Sequence, residues 1–158
     1  MTTQATLCYI IKNGKVLLIK KKKGLGADQW NGPGGKIEKS ESPQDCAKRE
    51  TYEEIKIVPE APKKVGELKF FFGQSEQPDW FVHVFTDDEF DGIEKETEEA
   101  APKWFKIERI PYSEMWADDR LWMPLMFAGK KFTGEFYFDK ECKQLLRHEL
   151  REDDGQWK

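Results

Sequence analysis

The sequence predicts one α+β domain, and three observations indicate this class. One stretch, residues 43–55, has a helix start signal followed by uninterrupted helical composition. Several other stretches have the residue types and alternation typical of strands. The chain of 158 residues has the length of one domain, and no linker, repeat or low-complexity segment divides it. We therefore expect residues 1–158 to form a single folded unit.

The N-terminal part of the chain predicts an antiparallel hairpin. Residues 6–11 and 15–20 have strand composition, and Asn13-Gly14 between them is typical of a tight turn. The basic run at residues 20–23 usually indicates a solvated strand end; the functional alternative is a lysine above the phosphates of a nucleotide. Residues 24–35 are rich in glycine but lack the spacing of a phosphate-binding loop or a dinucleotide fingerprint. Such glycines let the backbone approach a ligand closely.

The predicted helix begins with a recognisable cap. Ser42 supplies a capping hydroxyl, Pro43 occupies the first helical position, and Asp45 is an acid three residues after the cap. No residue from there to Ile55 breaks a helix.

Three glutamates share one face of this helix. Glu50, Glu53 and Glu54 are spaced i, i+3 and i+4, which places their carboxylates together. Like charges repel at this spacing, but a hard divalent cation takes oxygen ligands and would turn the repulsion into a binding site. A solvated acidic face is the alternative. The metal site is favoured by further residues at set distances, namely Gly35, Glu41 and Arg49.

The second half of the chain predicts mostly strands. The stretches with strand composition are residues 63–72, 81–86, 103–107, 132–138 and 142–150. The last two are predicted to close the fold as a hairpin. Residues 87–99 are acidic and rich in turn formers, and Ser113 is a candidate helix cap within residues 110–126.

Composition excludes several function classes. A net charge of -4 and a pI near 5.4 argue against a binder of duplex nucleic acid, which normally has a basic surface. Mean hydropathy is -0.78, and no apolar run approaches the length of a membrane span. Three cysteines without metal-binding spacing, in a chain with no apparent secretory leader, predict reduced thiols and a cytoplasmic protein.

Residues 35–57, GKIEKSESPQDCAKRETYEEIKI, resemble the signature of the Nudix hydrolase family. Two positions depart from that pattern: Thr51 stands where the family has a hydrophobic residue, and Lys56 where it has glycine. The family glycine lies near the helix end, where a left-handed residue is common. We expect Lys56 to have an ordinary backbone conformation instead, because a lysine held in the left-handed region is strained.

Further motifs extend the resemblance from residue 6 to about residue 151. These are WNGPGGK, VHVF, MWADDRLWMPL and KKFTGEFYF, and they are similar to a branch of the family that hydrolyses oxidised purine nucleoside triphosphates. The resemblance implies a Nudix fold, in which a mixed β-sheet lies between α-helices and the glutamate-bearing helix packs on the sheet. It also implies bound Mg²⁺, with Mn²⁺ as a substitute.

The resemblance implies a role for each matching residue. The implied metal positions are Gly34 (through its carbonyl), Glu50, Glu53, Glu54 and Glu99. Lys21 matches a residue near the phosphates. The implied base pocket comprises Thr6, Asn31, Trp116, Asp118, Asp119 and Trp122. Leu25 and Trp80 are altered pocket positions that would change which bases fit.

Each of these residues also has a plainer interpretation. Trp116 and Trp122 are of a type usually buried in a core. Asp118 and Asp119 would serve equally as a helix cap or a solvated pair, and Glu99 lies in an acidic segment. The spacing of the helix glutamates argues for their role without the resemblance.

The chemistry that this site implies is attack of water on a triphosphate. Magnesium held by the carboxylates would neutralise phosphate charge and lower the pKa of bound water. Glu53 is the first choice for the general base, Glu99 is the alternative, and Arg49 is expected to orient a carboxylate.

The resemblance therefore implies hydrolysis of 8-oxo-dGTP and 2-hydroxy-dATP type substrates to monophosphate and pyrophosphate. This is an 8-oxo-dGTP diphosphatase activity, which sanitises the nucleotide pool and avoids DNA damage. A Nudix pyrophosphatase for another nucleoside diphosphate derivative is the alternative. A non-catalytic nucleotide-binding module would require a broken acidic set, which is not seen. We expect a monomer that binds a small-molecule substrate, and neither a nucleic acid polymer nor a membrane.

Overall fold

The computed structural model describes residues 1–155 and 157, which form a mixed sheet and two α-helices. The helices are α1 (Pro43–Ile55) and α2 (Asp119–Phe127). The strands are β1 (Thr3–Lys12), β2 (Lys15–Lys21), β3 (Trp30–Asn31), β4 (Gly34–Lys36), β5 (Val58–Pro59), β6 (Lys63–Phe72), β7 (Trp80–Asp87), β8 (Phe90–Asp91), β9 (Ala100–Lys106), β10 (Lys131–Phe138) and β11 (Leu145–Asp153).

The main sheet is mixed, as predicted. Its strand order is β11-β10-β6-β7-β1-β2-β3, with β4 also paired to β1 and β9 to β2. Strand β1 runs parallel to β7 and β10 runs parallel to β6, whereas the other pairs are antiparallel. Strands β5 and β8 form a separate two-stranded sheet.

One edge of strand β1 pairs with two different strands, first with β4 and then with β2. The place where these two partners diverge borders the cavity described below. Leu7 pairs with Gly34 of β4, whereas Ile11 pairs with Val16 of β2. Between the two pairings, the Cys8 N–H donates to the Pro33 C=O at 2.7 Å. The glycine-rich segment is thereby held against the middle of the sheet.

The two helices pack on opposite faces of the sheet. Because side chains alternate along a strand, Ala5 and Tyr9 of β1 join the core under α2, and Cys8 and Ile10 join the core under α1. The core under α2 is the more aromatic, with Trp122, Phe132, Phe136 and Phe138 all buried. Cys8, Cys46 and Cys142 are free thiols.

Helix α1 has the predicted bounds, but its end differs from the expectation. The Ser42 hydroxyl accepts from the Asp45 N–H at 3.1 Å, as predicted for the cap. Lys56 has φ 64° and ψ 25°, so the expectation of an ordinary conformation was wrong. The left-handed turn lets its N–H reach the Tyr52 C=O at 2.9 Å, and its ammonium lies 4.8 Å from the centre of the Tyr52 ring. These two contacts offset part of the backbone strain.

The expected cap at Ser113 was also wrong. Residues 112–114 form a short 3-10 turn, and α2 begins after Asp118. Asp118 makes no side-chain cap bond to the helix, because its carboxylate accepts from the Trp122 indole. Several strand bounds also shift: β1 begins at Thr3, β9 begins at Ala100, and the last strand, β11, is Leu145–Asp153 rather than residues 142–150.

Candidate active site

One cavity of about 520 Å³ runs along the place where β4 and β2 leave each other on the edge of β1, from the acidic face of α1 to the N-terminal end of α2. Its acidic end is lined by Glu50, Glu54 and Glu99, with Lys21 beside them. Its other end is lined by aromatic side chains and two aspartates, namely Tyr9, Phe70, Phe72, Trp80, Trp116, Asp118 and Asp119. A cavity of this size and polarity suits a nucleotide-sized ligand.

Gly35 lets the acidic helix approach β4, and Gly34 lets β4 approach β1. A Cβ added at Gly35 would lie 1.8 Å from Glu50 Oε2, and one at Gly34 would lie 1.9 Å from the Thr6 carbonyl oxygen. Neither clash is compatible with a side chain at these positions. The Gly34 N–H donates to Glu54 Oε1 at 2.8 Å, so the backbone of β4 holds that carboxylate directly.

Arg49 fixes the loop before α1 to the helix. Its guanidinium donates to both oxygens of Glu41, at 2.6 and 2.9 Å, and to the Lys36 carbonyl at 3.1 Å. This two-bond contact holds the pKa of Glu41 down, at about 2. Arg49 also donates to Glu53 Oε1 at 3.1 Å, as expected of a residue that orients a helix carboxylate.

The three helix glutamates have different surroundings. Glu54 is buried, with 5% of its surface exposed, whereas the side chain of Glu53 is 45% exposed and turned toward Arg49. Burial raises the pKa of Glu50 to about 7 and that of Glu54 to about 8, and repulsion from neighbouring carboxylates adds to both shifts. A bound cation would relieve this repulsion.

The donor set fits a hard divalent cation in its chemistry. Glu50, Glu54 and Glu99 present carboxylate oxygens to the same cavity, and Gly34 lies beside them. Within the described residues, no three His, Cys, Asp or Glu side chains are already gathered as a metal site. Glu53 lies outside the cavity lining, and its ion pair with Arg49 would have to open or rearrange before it could join such a set.

The aromatic end of the cavity contains two adjacent, buried carboxyl groups. Asp118 is 2% exposed and Asp119 is 6% exposed. Asp118 Oδ2 accepts from the Trp122 indole N–H at 2.8 Å, whereas Asp118 Oδ1 has no hydrogen-bond partner among residues 1–155 and 157. Burial raises the pKa of both carboxyls, and the charge of Asp118 raises that of Asp119 further. An unpaired buried carboxyl oxygen in a cavity wall is suited to hydrogen bonding with a ligand.

Most of the site residues predicted from sequence line this one cavity. They are Thr6, Lys21, Asn31, Gly34, Glu50, Glu54, Glu99, Trp116, Asp118 and Asp119. Thr6 turns its hydroxyl toward helix α1, where it lies 3.3 Å from Cys46 Sγ. Asn31 donates its amide N–H to the Gln29 carbonyl at 3.0 Å, which leaves its side-chain oxygen available to a ligand.

Trp122 is placed differently from the expectation. It is fully buried between Tyr9 and Phe132, does not line the cavity, and reaches the site only through its hydrogen bond to Asp118. Sequence analysis missed Tyr9, Phe70 and Phe72 as lining residues. Their alternation along β1 and β6 places them on one sheet face, but only the packing of α2 identifies that face as a cavity wall.

The two altered pocket positions lie at the cavity rim. Leu25 is 50% exposed, and Trp80 lines the cavity with the Lys36 ammonium 5.8 Å from its ring centre. At this distance the contact is a cation–π interaction.

A model of the Nudix domain family matches residues 1–126 of this chain. The chain belongs to the Nudix family. Two relatives, each an oxidized purine nucleoside triphosphate hydrolase, match this Nudix chain over nearly its full length. The Danio rerio protein is 43% identical over 148 residues, which cover 93% of both chains. The Mus musculus protein is 41% identical over 151 residues, which cover 95% of both.

Solved structures agree with the Nudix assignment. The crystal structure of a MutT protein from Bacillus halodurans superposes with a TM-score of 0.82 at 25% identity, over 94% of this chain and 97% of that one. The residues matched by the family model include α1 and the loop before it, and Nudix hydrolases in general use divalent cations. None of the helices in the described part of this Nudix chain has the length and apolarity needed to cross a bilayer.

Proposed function

We propose that this Nudix hydrolase converts oxidised purine nucleoside triphosphates, of the 8-oxo-dGTP and 2-hydroxy-dATP type, to nucleoside monophosphate and pyrophosphate. One observation carries the proposal: a single cavity joins the acidic face of α1 to an aromatic end with two buried carboxyls. The names of the Danio rerio and Mus musculus relatives support the same substrate class. The activity would sanitise the nucleotide pool.

The acidic end is the proposed site of hydrolysis. Glu50, Glu53, Glu54, Glu99 and the Gly34 carbonyl would hold Mg²⁺, or Mn²⁺ in its place. When bound, the metal supplies phosphate neutralisation and a lowered pKa for coordinated water. Glu53 would accept the proton of the attacking water, with Glu99 as the alternative base.

Cationic side chains near the acidic end have separate roles in the proposal. Lys21 donates to the Leu25 carbonyl at 3.0 Å and lines the cavity, which supports a role for its ammonium in contacting a phosphate. Arg49 would orient the carboxylate of Glu50, which its guanidinium approaches to 3.7 Å, while its 3.1 Å ion pair with Glu53 opens to release Glu53.

The aromatic end is the proposed reader of the base. One of Asp118 and Asp119 would be protonated and donate to a purine carbonyl, and its ionised neighbour would accept from ring or exocyclic N–H groups. The raised pKa of both carboxyls supports a shared proton. Moving that proton would let one site accept guanine-like and adenine-like oxidised bases. Trp116 would form a wall of the base site, and Asn31 would add a polar contact.

A substrate panel tests the proposal. Normal and oxidised nucleoside triphosphates are incubated with the protein and Mg²⁺, and the nucleotide products are separated by chromatography. The expected result is monophosphate formed fastest from an oxidised purine, with no reaction in excess chelator. A preference for a dinucleotide or another nucleoside diphosphate derivative would instead support the alternative pyrophosphatase. We further propose that the protein acts in the cytoplasm as a monomer.

Glu53→Gln tests the metal site separately, because it removes the charge while keeping the shape. We expect kcat to fall at least about a hundredfold, or roughly 2.7 kcal/mol of transition-state stabilisation. Undiminished kcat in Glu53→Gln would refute this mechanism.

A further inference from the structure

Residues 95–99, the segment before β9, contact the C-terminal end of α1. The last carbonyls of a helix have no partner within the helix and need one from elsewhere. Here the Lys95 N–H donates to the Ile55 carbonyl at 2.9 Å, and the Thr97 hydroxyl donates to the Glu54 carbonyl at 2.7 Å. Two helix-end carbonyls are therefore satisfied by the segment that leads to Glu99.

The Thr97 hydroxyl makes a second hydrogen bond. Its oxygen accepts from the Glu99 N–H at 3.1 Å. One hydroxyl thus connects the backbone of Glu54, on the acidic helix, to the backbone of Glu99, in the loop that lines the same end of the cavity. Within residues 1–155 and 157, no other side chain bonds to both backbones.

Lys22 secures the same segment from the strand side. Its ammonium donates to the Thr97 carbonyl at 2.7 Å and pairs with Glu96 at 2.5 Å. Its N–H donates to the Glu99 carbonyl at 3.0 Å. The segment is therefore held at two places, on β2 by Lys22 and on α1 by Thr97.

Holding Glu99 in this position has an electrostatic cost. Glu99, Glu50 and Glu54 line one cavity, and their like charges repel whenever no cation is bound. We expect this repulsion to drive the loop that carries Glu99 away from the helix unless hydrogen bonds retain it. Among the described residues, the Thr97 hydroxyl is the side-chain link between this loop and the backbone of Glu54. A conservative substitution removes it, because threonine and valine have nearly the same shape.

We propose that Thr97 is a positioning residue, which uses its hydroxyl to hold Glu99 against the acidic face of α1 at the spacing that a divalent cation requires. This inference rests on the proposed function, because it takes Glu99 to be one of the metal-binding glutamates. Thr97 itself contacts neither metal nor substrate. Its effect passes through the backbone N–H of Glu99 and the carbonyl of Glu54.

Three variants of the full chain test this role. Thr97→Val removes the hydroxyl, and Thr97→Ser retains it. Thr133→Val is the matched control: it removes a hydroxyl of the same kind, bonded to Asp153 at 2.9 Å on the far edge of the sheet. Should Thr97→Val fail to fold, Thr97→Ala takes its place, compared with Thr97→Ser. Each protein is titrated calorimetrically with Mg²⁺ and with Mn²⁺ in the absence of nucleotide, and kcat and KM are then measured.

We expect Thr97→Val to weaken metal binding about tenfold, as loss of a group that orients a ligand commonly does. In the proposed reaction kcat should fall by a similar factor, with KM changed less than about twofold. Thr97→Ser should restore both to within about threefold of the parent, and Thr133→Val should match the parent. Metal affinity in Thr97→Val equal to that of the parent would overturn the inference, as would a failure of serine to restore it.

A second comparison separates positioning from a general structural role. In a Glu99→Gln background, Thr97→Val should no longer change metal affinity, because the residue that it positions is gone. An undiminished effect in that background would show that Thr97 acts elsewhere. If the parent binds metal with the expected dependence on Thr97 but hydrolyses no nucleotide, the proposed function fails while the positioning role stands. If the parent binds no divalent cation, both fail.

Discussion

In the proposed function, Asp118 and Asp119 select the base. Because both carboxyls are buried, replacing either one should change base selection without altering the protein surface. Asparagine at either position fixes the pattern of donors and acceptors and leaves the acidic end of the cavity untouched. Each variant should lose about a hundredfold in kcat/KM on its best oxidised purine, because a buried polar group of the base is left unpaired. The loss should differ between guanine-type and adenine-type substrates.

The substrate panel measures this directly, with Mg²⁺ dependence and far-ultraviolet circular dichroism as controls for the metal site and the fold. If both asparagine variants match the parent on every substrate, these aspartates do not read the base. The hydrolase proposal would survive that result, but the assignment of the pocket would not.

The raised pKa values of these two aspartates also predict that the free energy of unfolding depends on pH. The pKa of each is raised in the folded protein, so the folded state retains protons that the unfolded chain releases. The free energy of unfolding should therefore fall as the pH rises above about 4, by about 1.4 kcal/mol per pH unit for each retained proton. This loss should continue until the pH passes the raised pKa values.

Asp119→Asn removes one of these titrating groups and the repulsion within the pair. Its melting midpoint should exceed that of the parent at pH 8, and the difference should shrink as the pH approaches 4. Thermal melts across this range measure the difference. Equal pH dependence in the variant and the parent would show that the pair is not held protonated by burial.

At the scale of elements, the end of α1 gives a prediction at Lys56. Its φ of 64° is strained for any residue with a Cβ by about 1–2 kcal/mol, whereas glycine has no such penalty. Lys56→Gly and Lys56→Ala both lose the contact with the Tyr52 ring. The difference in their stability therefore measures the cost of placing a residue with a Cβ in the left-handed conformation. We expect the glycine variant to be more stable than the alanine variant by about 1 kcal/mol, the reverse of the order inside a helix.

Thermal melts of the two variants measure this difference, which corresponds to a shift of about 2–4 °C for a chain of this size. A higher midpoint for Lys56→Ala would mean that the helix does not end in a left-handed residue in solution.

The elements that sequence predicted well are those whose signals are local. The Ser42 cap, the Pro43 start and the Asn13-Gly14 turn act within a few residues, and the helix and hairpin were found where expected. Strands of two or three residues, such as β3 and β4, have no periodicity to detect and were missed. Ser113 had the composition of a cap, but Asp118 and its bond to Trp122 place the start of α2 later.

At the scale of the whole molecule, the site depends on contacts between segments distant in sequence. Spacing identified the glutamates on α1, and the resemblance identified Asp118 and Asp119. Neither showed that Tyr9 lines the cavity or that Trp122 lies outside it. Tyr9 lines the cavity and Trp122 lies behind Asp118 because α2 packs on the sheet face opposite α1. The role inferred for Thr97 likewise requires the docking of its loop on the end of α1, which no local pattern reveals.

The central claim is that one cavity both selects an oxidised purine and hydrolyses its triphosphate. A competition assay tests this most directly: equimolar dGTP and 8-oxo-dGTP are incubated in one tube with the protein and Mg²⁺, and both are followed by chromatography. The ratio of the two decay rates equals the ratio of their kcat/KM values. We predict that 8-oxo-dGTP disappears first, with monophosphate and pyrophosphate formed in equal amounts. Loss of both nucleotides at the same rate, or release of inorganic phosphate instead of pyrophosphate, would contradict the claim.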